Sequence, residues 1–90
     1  MFYRVSSFTR LHGSPIRAED IRPCSRMEQE DMDSVTGSTP RQAAVKFAGY
    51  SNLRNVGTKP VRTFPNGRGW LFTAEGGFLR GDRFIEVYAD

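Results

Sequence analysis

The sequence predicts an α+β domain: a small antiparallel sheet of four to five strands, with barrel-like curvature as one of its forms, and one short helix at about residues 40–48. Three observations predict it. Ninety residues suffice for a single domain, 1–90, with a modest core. Several short runs collect aromatic and β-branched residues between turn signals, as strands do. One stretch, Thr39-Pro40-Arg41-Gln42-Ala43-Ala44-Val45-Lys46-Phe47-Ala48-Gly49, has a start, a body and a stop that agree on a helix.

In that stretch Thr39 is placed to accept a backbone N–H, and Gln42 three residues later to reach back, as in a capping box. Pro40 falls where its missing N–H costs nothing, and Gly49 is read as the left-handed residue that ends the helix. Ala43, Ala44, Phe47 and Ala48 form one apolar stripe, with Gln42 and Lys46 opposite and Arg41 at the margin. A helix this short does not stand alone in water, so the stripe must lie on a sheet.

Taken in order, Phe2 to Phe8 is the first strand, with Tyr3 and Val5 directed inward. Residues 9–37 read as a long irregular and largely acidic segment, broken at His12-Gly13-Ser14-Pro15 and at Arg22-Pro23. Within it Ala18 to Ile21 suits one helical turn, and Ser25 to Asp33 a loop or short exposed helix. A segment of that length in a small domain is often functional or held by a partner. Tyr50 to Pro60 is a polar loop anchored by Leu53 and Val56. Val61 to Phe64 and Trp70 to Glu75 form a hairpin about a Pro65-Asn66-Gly67-Arg68-Gly69 turn. After a loop or bulged strand from Phe78 to Asp82, Arg83 to Ala89 closes the sheet, with Ile85 and Val87 in the core and Phe84, Glu86 and Tyr88 on the other face.

The net charge of +3 conceals an asymmetry. Up to Ser34, Arg4, Arg10, Arg17, Arg22 and Arg26 face Glu19, Asp20, Glu28, Glu30, Asp31 and Asp33. From Val35 to Gly69 there are Arg41, Lys46, Arg54, Lys59, Arg62 and Arg68 and no acid. Such a stretch concentrates positive potential and favours a polyanion or an acidic protein surface; a solvated basic face is the plain alternative.

Catalytic chemistry is poorly supplied, and the chain reads as non-enzymatic with no cofactor. His12 is the sole histidine and lies in turn-like sequence, while Cys24, the sole cysteine, reads as an ordinary loop thiol despite Arg22 and Arg26 nearby. These two cannot assemble a four-ligand zinc site, and the carboxylates lack the spacing of a calcium loop. Gly67-Arg68-Gly69 and Gly76-Gly77 lack the helix that follows a phosphate cradle, so they read as turns. No apolar run has the length of a membrane span or signal core, and no disulfide can form within the chain. Together these favour an intracellular protein, of nucleoid or cytoplasm, or a virion protein.

Basic residues interleaved with aromatics remain. Arg62, Arg68, Trp70 and Arg80 lie on or around the hairpin. Arginine exceeds lysine by eleven to two, and its planar fork suits phosphate. Trp70 is either a core residue or an exposed ring able to stack on a base. The expected contact set is Arg41, Lys46, Arg54, Lys59, Arg62, Arg68, Trp70 and Arg80, with double-stranded DNA the favoured nucleic acid.

Val35 to Ala48, with its Thr36-Gly37 and Pro40-Arg41-Gln42-Ala43-Ala44 followed by Lys46, resembles the start of the helix in the archaeal chromosomal protein MC1 family. Gly57-Thr58-Lys59-Pro60-Val61 is similar to that family's entry into a strand. The resemblance covers about a sixth of the chain. It implies a pseudo-barrel of strands with one helix, binding of double-stranded DNA without strong sequence preference, and Lys59, Arg62 and Trp70 near the DNA. The chain departs from the family in its few lysines and in the acidic segment 19–33. Two functions therefore stand: a nucleic-acid-binding module, or a structural or adaptor protein of a capsid or ribonucleoprotein particle that meets protein neighbours through residues 9–37. Arginines sharing one face favour the first; arginines paired with Glu28, Glu30, Asp31 and Asp33 favour the second.

Overall fold

The computed structural model describes residues 1–9, 18–64, 67–76 and 82–89. Three eight-residue strands carry the sheet: β1 (Phe2–Thr9), β5 (Gly69–Gly76) and β6 (Asp82–Ala89). Shorter strands β2 (Asp33–Thr36), β3 (Leu53–Arg54) and β4 (Arg62–Thr63) complete it. The order is β2-β1-β6-β5-β3, with every pairing antiparallel, and β4 shares the outer edge of β5 with β3. The sheet curls into a half-barrel around one main helix, as the sequence predicts.

That helix, α2 (Pro40–Tyr50), buries the expected stripe Ala43, Ala44, Phe47 and Ala48. Its cap differs in detail. Thr39 Oγ1 accepts from Gln42 N at 3.1 Å, but Gln42 Oε1 reaches past the cap to accept from Ser38 N at 2.6 Å. Gly49 does not stop the helix, which continues to Tyr50 while Phe47 and Tyr50 pack edge to face. Ser51 caps the end and Asn52 takes the left-handed conformation, at φ 61°.

Strand alternation sorts the side chains onto two faces. Tyr3, Val5, Val35, Phe72, Ala74, Ile85 and Val87 meet α2 in the larger core. Phe64, Leu71, Phe84 and Tyr88 lie on the opposite face and form a second core with Ile21. The cover for this second core is the segment expected to be irregular. Its described part holds a 3-10 turn (Ala18–Asp20), the five-residue helix α1 (Arg26–Glu30) and strand β2. Ser25 and Glu28 make a reciprocal capping box at the start of α1. Residues 18–36 thus fold against this chain's own sheet. Packing against both faces explains why Trp70 to Ala74 is almost wholly apolar.

Gly69 permits the second core to close. A Cβ there would lie 2.5 Å from Phe64 Cδ2 and 2.9 Å from Tyr88 Cε1, where these two rings stack with centroids 5.6 Å apart.

Candidate nucleic-acid interface

The basic residues of 35–69 divide into groups once folded. Arg41 leaves the first turn of α2 and donates from Nε to Gly57 O at 3.0 Å and from Nη2 to Val56 O at 3.3 Å. These bonds tie the helix to the loop that carries exposed Lys59. Arg54 joins Arg41 beside a cleft of about 490 Å³ floored by Ala48, Leu53 and Val56. Among the described residues, neither the Arg54 nor the Lys59 side chain has a hydrogen-bond partner. Glu75 stands across from Arg54 in register, and its Oε2 accepts from Asn55 Nδ2 at 2.8 Å. Lys46 lies on another flank of α2 and donates to Thr36 O at 2.9 Å. Arg41, Lys46 and Arg62 thus donate to carbonyl or hydroxyl oxygens, which position a cation without neutralising it.

Arg62, also in the expected contact set, is bonded to a distant part of the chain. Its Nη1 donates to the carbonyls of Ala18, Glu19 and Ile21, and its guanidinium lies 5.3 Å from the centroid of the Phe64 ring. This half-buried side chain clasps the 3-10 turn to β4. The acceptors lie more than forty residues away in sequence. Trp70 is half-buried on the α2 face, packed edge-on against Tyr3 with centroids 6.3 Å apart. It is neither fully core nor a free stacking platform. Arg80 and His12 lie outside the described residues, as do Pro65 and Asn66 of the hairpin turn and most of the Phe78 to Asp82 loop.

Arg68 stands apart from Arg41 and Arg54, in company that the sequence reading overlooked. Arg68 and Arg26 line one cleft of about 190 Å³, and Arg26 and Arg4 line its neighbour of about 350 Å³. Arg4 alternates away from α2 and donates to Met32 O at 3.5 Å. The readable signal was Ser25-x-x-Glu28, which places Arg26 at the first position of a capped helix.

Below these clefts lies a buried polar network. Tyr88 Oη donates to Glu86 Oε2 at 2.6 Å, Cys24 Sγ donates to the same oxygen at 3.1 Å, and Cys24 N donates to Tyr88 Oη at 2.9 Å. Burial, then the hydrogen bond to Glu86, push the Cys24 thiol from an ordinary 9.0 up to about 12. The same two causes raise the Tyr88 phenol. A thiol held protonated is a poor nucleophile, and through these bonds Cys24 ties the segment to the sheet.

Comparison with protein-family models, with curated proteins and with solved structures finds no match for this chain. Among the described residues no three His, Cys, Asp or Glu side chains gather in a way that would hold a metal ion.

Proposed function

We propose that this chain is a non-catalytic nucleic-acid-binding module that holds duplex DNA by its backbone phosphates. The observation that carries the reading is the state of the cations in the acid-free stretch. Arg41 and Lys46 are held by carbonyl and hydroxyl oxygens, and Arg54 and Lys59 project from an adjoining strand and loop. Charge positioned this way but not neutralised attracts phosphates and releases counterions on binding. The resemblance to the MC1 family supports the same reading, with Lys59 the shared candidate contact.

Titration of a short DNA duplex at several salt concentrations, followed by Trp70 fluorescence, tests it. Log affinity should fall linearly with log salt, with a slope of about −0.9 for each phosphate neutralised. Replacing Arg54 and Lys59 with alanine should flatten that slope by roughly two contacts. Absence of binding at low salt would refute the reading. The exposed apolar side chains of Val45 and Tyr50 on α2 would then favour a structural or adaptor protein docked on protein neighbours.

A further inference from the structure

Helix α2 and the chain that follows it enclose the 490 Å³ cleft, a groove with an apolar floor. One wall is a single helical stripe, Arg41, Val45, Ala48 and Gly49, and the other runs from Leu53 to Val56. Val45 is 43% exposed in that stripe, beside buried Ala48. Gly49 leaves the helical wall bare. It does not end the helix, which runs on to Tyr50, and its φ is not positive. A Cβ there would meet no atom of the described residues within 4 Å. Glycine within a helix is unfavourable relative to alanine, yet the packing here does not call for it; what it does allow is close approach by the backbone of a bound chain. The charged lining residues are Arg41 and Arg54, with no acid among them. Arg41 uses Nε and Nη2 on Gly57 O and Val56 O, which leaves Nη1 with two hydrogens to donate. Glu75, across from Arg54 in register, has its Oε2 engaged by Asn55 Nδ2.

We infer that this groove docks an extended acidic and apolar segment of a partner protein, with apolar side chains against Ala48, Leu53 and Val56 and a carboxylate on Arg41. From Arg41 to Gly49 the helix rises about 12 Å, which an extended chain spans in about four residues. A carboxylate suits the open side of the Arg41 guanidinium because its oxygens accept from that planar group directly. The lining holds no aromatic ring on which an unpaired base could stack, so the apolar floor serves a peptide and not a nucleotide. Peptide docking does not depend on duplex binding, since phosphates draw on the cations alone and leave the floor uncovered.

Titration of the full chain, labelled with nitrogen-15, with the peptide Gly-Ser-Asp-Leu-Ser-Leu-Asp-Ser-Gly tests this. The amide signals of Arg41, Val45, Gly49 and Leu53 to Val56 should move saturably. Serine in place of both peptide leucines should weaken binding at least about tenfold, because the floor loses its apolar partners. Asparagine in place of both aspartates should weaken it about two- to fivefold, as suits an exposed ion pair. Gly49→Leu fills the groove with this chain's own side chain and should also cost at least about tenfold in peptide affinity. Its thermal melt should be no lower than wild type, since leucine favours a helix more than glycine does, and its duplex affinity should stay within about twofold. A folded Gly49→Leu variant that binds the peptide like wild type would overturn the proposal. So would still signals at about millimolar peptide, or equal binding of the serine peptide. Movement of the same signals on dilution of the free chain would overturn it in favour of a second copy as occupant. Movement with a single-stranded oligonucleotide and not with the peptide would overturn it in favour of nucleic acid.

Discussion

Arg62→Met separates a structural arginine from a nucleic-acid contact. Arg62 Nη1 has carbonyl acceptors at Ala18, Glu19 and Ile21, and the guanidinium lies over Phe64. One nitrogen has hydrogens for only two of these acceptors at a time. Hydrogen bonds from a charged group contribute about 1.5–3 kcal/mol each, and the low end applies because the site is half-exposed. The ring contact adds about 0.5–1 kcal/mol. Methionine keeps much of the apolar stem, so the expected loss is about 2–4 kcal/mol. At about 4–8 °C per kcal/mol for a domain of this size, Tm should fall by roughly 10–30 °C. Urea melts give the free energy, and amide exchange should show faster opening at residues 18–24 than in β5. Affinity for DNA per folded molecule should be unchanged. The reasoning is refuted if the melt is unaltered while the salt slope flattens by about one phosphate contact, for then the guanidinium serves DNA and not the fold.

Gly69→Ala should cost about 1–3 kcal/mol by forcing Phe64 and Tyr88 apart, and a change in the near-ultraviolet aromatic signal would report it; a wild-type spectrum and melt would contradict the close approach. Tyr88→Phe removes the donor to buried Glu86 and the acceptor of Cys24 N, so a loss of about 2–3 kcal/mol is expected in urea titration. The Cys24 thiol should react with a disulfide reagent at pH 8 at least about tenfold more slowly in the folded chain than in urea, and equal rates would contradict the protonated state. The folded chain holds the Cys24 and Tyr88 protons more tightly than the unfolded chain, whose ordinary values are 9.0 and 10.0. Unfolding therefore releases protons at high pH. The stability this contributes is complete below about pH 9 and is lost as pH rises toward about 12. Cys24→Ala should reduce that alkaline loss in melts recorded across the range.

Elements whose own residues carry a periodic pattern were legible in the sequence. The α2 stripe is visible because four buried positions recur at helical spacing, and β1 and β6 because their alternation separates Tyr3 and Val5, or Ile85 and Val87, from their neighbours. Strand β2 was not legible because Val35 is its single buried residue, and two-residue β3 offers only Leu53. A strand that short takes its identity from the edge it pairs with. Charge was legible as a total along the chain but not as a distribution in space. Arg62 sits in an acid-free stretch yet is engaged by distant carbonyls, whereas Arg4 and Arg26 belong to an acid-rich half yet converge with Arg68. Averaging charge over sequence neighbours misplaces side chains whose spatial neighbours come from other strands.

The position of β6 bears on how the chain reaches this state. It is the last described strand and also the central one, hydrogen-bonded on one side to β1 and on the other to β5. During synthesis β1 and β5 leave the ribosome before the strand that joins them, and each carries an unpaired edge until β6 arrives. Neither core can close earlier, since Ile85 and Val87 belong to one and Phe84 and Tyr88 to the other. Nascent chains arrested before Asp82 should therefore remain protease-sensitive and prone to associate. Resistance should develop in one step once β6 has cleared the exit tunnel.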